Sequence, residues 1–162
     1  MAHGLGLGIW RLCWRCALVL LLAACARVND AGLRLVSSPR DAYLIVNGQL
    51  LSGTVLLVPD RSGRVSFAAE RGSIRSCAGS LRYSASFSAE IDLHCNDGTQ
   101  LTLQTTLISE TRGYGYGMGS QGPASLAFGL SDQDAQAYLV APAGSRLGLD
   151  ARGELALLGA AP

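Results

Sequence analysis

"CAGSLRYSASFSAEIDLHC", residues 77 to 95, decides the fold. Cys77, Gly79, Leu81 and Tyr83 alternate with polar or small residues. Phe87, Ala89, Ile91, Leu93 and Cys95 do the same against Ser88, Glu90, Asp92 and His94. A period of two is the signature of a strand with one buried face. Folding the two halves antiparallel with Cys77 opposite Cys95 sets Leu81 against Ile91 and Tyr83 against Ala89. Cysteines and apolar side chains then share one surface, and a slip of one residue would destroy the match. Directly opposed strand residues can reach the Cα separation that a disulfide requires, so a Cys77–Cys95 bond is expected. The other readings are two buried free thiols or a metal pair. Two thiolates and a single histidine would leave a zinc site short of ligands.

The same device recurs on both sides. Asn96, Asp97 and Gly98 form a three-residue turn that sets Leu93 against Leu101 and Ile91 against Leu103, with Gly98 left-handed. Near the C-terminus, Ala151-Arg152-Gly153 would place Leu149 opposite Leu155 and Leu147 opposite Leu157, with Asp150 facing Glu154 at a small like-charge cost. Asn47-Gly48 is the strongest short hairpin signal in the chain. Pro59 to Gly63 reads as a longer turn between Val55 and Leu57 on one side and Val65 and Phe67 on the other. One short helix is expected in "SDQDAQAYL", with Ser131 as cap, Asp132 and Asp134 in the first turn, and Ala135, Tyr138 and Leu139 on one apolar side. The expected class is all-β: a small antiparallel barrel or sandwich of hairpins with one short helix, over residues 33–162.

The start of the chain points to export. Arg11 and Arg15 precede a short apolar core, Ala17 to Leu22, which is far below the roughly 20 residues needed to cross a bilayer as a helix. The residues that follow, Leu22-Ala23-Ala24-Cys25, resemble the lipobox of bacterial lipoproteins. That resemblance implies a cleaved signal at residues 1–24, acyl chains on the Cys25 sulfur and amine, and a lipidated tether at 25–32. The alternative is an ordinary secretory signal. Ala26, standing where an aspartate would favour inner-membrane retention, implies the outer membrane, on its periplasmic or surface face. Cys13 and Cys16 fall within the signal and are assigned no role. An exported domain meets an oxidising compartment, which favours the Cys77–Cys95 bond.

Maturation would remove both tryptophans, Trp10 and Trp14, together with His3, Arg11 and Arg15. The 13 basic residues fall to 11 against 12 acidic, and none is lysine. A nearly neutral domain with no basic stripe gives no electrostatic case for nucleic acid. Gly117-Met118-Gly119-Ser120-Gln121-Gly122 matches the spelling of a dinucleotide loop. Such a loop needs a helix opening within it, whereas Pro123 and an alternating "ASLAFGL" follow. No nucleotide or other cofactor is expected. The stretch reads as a glycine-rich hairpin loop carrying Tyr114 and Tyr116 as a candidate contact surface for an envelope protein or glycan.

Catalytic residues are sparse. His94 is the only histidine after the signal, and it falls on the polar strand face, as do Glu90 and Asp92. No Asp/His cluster has metal-ligand spacing. Two short resemblances remain. "SSPRDAYLIVNG", residues 37–48, is similar to the opening of PEGA-type surface β domains, although Val55 stands where their Gly-x-Thr-Pro continues with proline. "IDLHCNDGTQLTL", residues 91–103, resembles the cysteine-and-glycine hairpin of membrane-bound inhibitors of C-type lysozyme. The expectation is a non-catalytic, lipid-anchored envelope protein with a structural or binding role. A lysozyme inhibitor and a small hydrolase are the alternatives.

Overall fold

A computed structural model describes residues 37–119 and 122–159 of the chain. The signal, Cys25 and the tether lie outside the described residues. The hairpin between the two cysteines forms as the alternation requires. β4 (Ser76–Ala85) pairs with β5 (Ser88–Cys95), with Cys77 opposite Cys95, Leu81 opposite Ile91 and Tyr83 opposite Ala89. The disulfide Cys77–Cys95 joins them. β6 (Gln100–Ser109) continues the sheet with Leu93 opposite Leu101 and Ile91 opposite Leu103, and Gly98 takes φ 87° in the turn.

The other strands add in sequence order. β1 (Ser38–Val46) and β2 (Gln49–Val58) are joined by Asn47 and Gly48, at φ 50° and 74°. Two positive φ values make the turn whose twist matches that of the strands it connects. β3 (Ser62–Ala68) follows a turn of three residues, Pro59 to Arg61, which is tighter than the sequence suggests. Arg61, not a glycine, takes the left-handed conformation there (φ 65°), while Gly63 lies within the strand opposite Leu57. β7 (Arg112–Gly119) and β8 (Gly122–Phe128) complete the set, and β8 pairs back onto β1 through Ala42–Phe128 and Leu44–Leu126. The result is a closed antiparallel barrel of eight strands, not a sandwich. Closure leaves the barrel without a free edge.

One end of the barrel carries the β1–β2, β3–β4, β5–β6 and β7–β8 connections. The other carries the start of β1 and the β2–β3, β4–β5 and β6–β7 turns. Inward positions alternate as Ala42, Leu44 and Val46; Leu101, Leu103, Thr105 and Leu107; and Ala124, Leu126 and Phe128. Leu44, Leu51, Val55, Leu81, Ile91, Leu103 and Leu126 are completely buried, so side chains fill the lumen, as expected at this strand number. The disulfide is part of that filling. Ile74, from the β3–β4 connection, is also fully buried and belongs to the same core. Gln49 fixes it in place by donating to the Arg71 and Ile74 carbonyls and accepting from the Ile74 amide.

The glycine-rich stretch is a strand, not the loop that its composition suggests. Gly113, Gly115 and Gly117 face inward, while Tyr114, Tyr116 and Met118 face out. A Cβ at Gly117 would collide with the Thr102 carbonyl oxygen, and one at Gly113 would meet the Phe128 ring at 3.0 Å. Here glycine serves close approach, not left-handed φ. It lets the β7 backbone lie close against β6.

Outside the barrel, β1 and β8 carry a second apolar cluster. Ile45 and Ala127 pack with Ala135 and Leu139 of the helical segment and with Leu155. The helix, α1, spans only Asp132–Ala135. Ser131 is its N-cap, accepting from the Asp134 amide. Leu155 belongs to a separate hairpin, β9 (Ser145–Leu149) with β10 (Leu155–Gly159), in the register read from the sequence. The like charges facing across its turn carry little cost, because Asp150 accepts backbone N–H groups from Arg152 at 2.8 Å and Glu154 at 3.0 Å. Under this outer layer the alternation of Ala124 to Phe128 does not separate buried from exposed: all five are buried, on one barrel face or the other.

Two stability outcomes follow. Cys77→Ala with Cys95→Ala should lower the unfolding free energy by about 3 kcal/mol in urea titration through lost loop closure; unchanged stability would show that the bond constrains nothing. Gly117→Ala should cost about 1–3 kcal/mol through overpacking. A cost near zero would mean that residue 117 sits in a loop with room for a side chain.

Candidate binding surface

Because β7 alternates, its aromatic side chains share the outer face. Tyr114 lies opposite Thr106 and Ala127, and Tyr116 opposite Gln104 and Ser125. Tyr138, just after α1, stacks on Tyr114 with ring centres 4.4 Å apart and planes 20° from parallel. Tyr114 meets Tyr116 edge-on at 5.7 Å and 61°. Both are geometries that aromatic quadrupoles favour. The buried Ser125 hydroxyl accepts from the Val140 amide at 2.9 Å, which pins the chain after α1 beside Tyr116.

The two tyrosines singled out in the sequence therefore differ. Tyr114 is half-buried between Tyr138 and Tyr116, and its ring fastens the outer layer to the barrel. Tyr116 stays 44% exposed, beside Met118 at 71% and near Val140 at 50%. Tyr116 and Met118 share the outer face of β7, and the Val140 amide is held by Ser125, the cross-strand neighbour of Tyr116, so three exposed apolar side chains and one phenolic hydroxyl lie on this side of the barrel. Tyr138 reads in the sequence only as part of an apolar helix side. Its stacking partner lies 24 positions earlier on another element, so no local pattern reveals it.

The polar groups with catalytic chemistry are differently placed. Glu90 accepts from the Gln104 side chain at 3.1 Å, and Asp92 from Thr102 at 2.8 Å and Arg82 at 3.3 Å. These contacts form a polar ladder across the outer faces of β4, β5 and β6. His94 is exposed on the same face, with Ala78 and Gln100 as its cross-strand neighbours. Among the described residues no three metal-ligating side chains converge. Inside the barrel, the Thr105 hydroxyl and Arg40 Nε are buried without a hydrogen-bond partner among the described residues.

Three tyrosines hold their protons above the ordinary value. Burial is the main cause at Tyr43, joined by its 2.6 Å donation to Asp132 and by that carboxylate's charge. At Tyr83 burial is followed by Glu110, against a smaller lowering by Arg61, whose guanidinium lies 5.4 Å over the ring. At Tyr116 burial leads, then Tyr114 and Tyr138.

No family model and no curated protein matches the chain. Among solved structures, a redesigned β barrel is similar, with 16% identity over 59% of this chain and 91% of that one, at a TM-score of 0.45.

The tyrosines give the fold a defined alkaline limit. Above pH about 10 the native state binds more protons than the unfolded chain, so stability is full below that value and declines as pH rises. Unfolding measured between about pH 8 and 11 should show this decline, and Tyr43→Phe should flatten it; an equal slope in the variant would remove Tyr43 as its source.

Proposed function

We propose that the protein is a lipid-anchored envelope protein whose barrel has a non-catalytic, binding or structural role. Support for the anchor comes from Leu22-Ala23-Ala24-Cys25. The observation that carries the binding role is the exposed Tyr116–Met118–Val140 patch on a barrel whose interior is already filled. A filled lumen leaves recognition to the outside. A patch held by stacked rings and a buried serine is preorganised, which limits the ordering cost of binding. Tyrosine and methionine also suit such a surface, one as a flat amphipathic body and the other as an adaptable apolar contact.

The carboxylates favour the non-catalytic reading. Glu90 and Asp92 are occupied by neighbours in the polar ladder, as structural side chains on a solvated sheet face are. The lysozyme-inhibitor alternative rests on the β5–β6 hairpin. Its turn side chains are exposed but already engaged by their own neighbours: Asn96 accepts from the Arg75 and Ser76 amides, and Asp97 from the Thr99 amide and hydroxyl.

Intact mass of the protein purified from envelope membranes should show acyl chains on Cys25, and Cys25→Ala should accumulate as unprocessed precursor. Normal processing of that variant would refute the anchor. Purified protein should leave C-type lysozyme activity unchanged at micromolar concentration, whereas inhibition would transfer the assignment to the inhibitor class.

A further inference from the structure

The barrel has two unlike ends, and the apolar side chains at each point to different surroundings. At one end the β4–β5 hairpin tip, Ser84 to Ser88, carries no charge and leaves Phe87 69% exposed. The Phe87 carbonyl accepts from the Leu107 amide, so Ile108, itself 42% exposed, begins the neighbouring position on β6. Behind the tip, Arg61 donates to the Ala85 carbonyl at 2.8 Å. A phenyl ring at a neutral tip, with a guanidinium held just behind it, has the order of groups that a bilayer surface presents in reverse: acyl boundary first, phosphate next.

The chain itself arrives at this end. β1 begins at Ser38, opposite Leu57 and next to the β2–β3 turn, and antiparallel topology places the β4–β5 tip on the same side. Residues 26–37 lie between Cys25 and that strand. Fully extended, they would span at most about 40 Å. The barrel end bearing Phe87 is thus the end at which the lipid-bearing segment joins.

We infer that this end faces the membrane, with Phe87 entering the headgroup–acyl boundary of the bilayer that holds the Cys25 acyl chains. The inference rests on the lipid anchor proposed above. One ring is too little to bind a protein to a membrane, but it can orient one that acyl chains already hold. Met118 lies at the opposite end, beside the β7–β8 connection. The consequence is that Met118 is held at the end away from the bilayer, with Tyr116 on the barrel wall between the two ends.

The mature chain has no tryptophan, so a single substitution gives a lone emitter. Phe87→Trp and Met118→Trp make a matched pair, since the two side chains are 69% and 71% exposed. The full lipidated protein is reconstituted into phosphatidylethanolamine–phosphatidylglycerol vesicles, with and without brominated acyl chains. The Phe87→Trp emission should shift to shorter wavelength and be quenched by bromine, and Ile108→Trp should follow it in weaker form. Met118→Trp should emit as in water and remain unquenched. Protein that floats with the vesicles while residue 87 stays unquenched, or residue 118 is quenched as strongly, would overturn the orientation. Protein that does not float, and carries no acyl mass, would overturn the anchor and the orientation with it.

Discussion

The cross-strand pair Cys77–Cys95 is the constraint from which the barrel can be rebuilt. Side chains alternate across a strand, so one opposed pair assigns every residue of both strands to a face. With the cysteines inward, Leu81, Ile91, Leu93 and Ala89 must be inward too. The three-residue turn at Asn96 to Gly98 passes that assignment to β6, and β6 passes it to β7. The covalent bond adds loop-closure stability, but its larger role is to forbid the one-residue slip that would turn the core outward.

Most of this was legible because strand periodicity is a local signal. The registers of β4 with β5, β5 with β6 and β9 with β10 follow from turn length and apolar alternation alone. Closure was not legible, because pairing of β8 with β1 joins residues 80 or more positions apart, and no turn links them. The glycine stretch misled for a physical reason. Glycine is enriched in loops for its positive φ, yet at Gly113 and Gly117 the need is for the absence of a Cβ where the β6 backbone comes close. Alternation with Tyr114, Tyr116 and Met118 was the signal that could have separated the two.

The candidate surface was half legible for a related reason. Tyr114 and Tyr116 stood out by composition, but their roles diverge through partners that the sequence places far away. Tyr138 takes one ring as a stacking partner, and Ser125 holds the chain that borders the other. The outer layer thereby does two jobs. It covers the apolar outer faces of Ile45 and Ala127, and it stiffens the ground on which Tyr116, Met118 and Val140 are exposed.

The inward assignment set by Cys77–Cys95 makes a barrel and not an open sheet only if β1 and β8 close the ring, and nuclear magnetic resonance measures that closure directly. Cross-strand Overhauser contacts should link Ala42 with Phe128 and Leu44 with Leu126, and the β1 and β8 amides that bond across the seam should exchange with solvent as slowly as those of β5. Absent contacts together with rapid exchange along both strands would mean two free edges, and an open sheet or sandwich in place of the barrel.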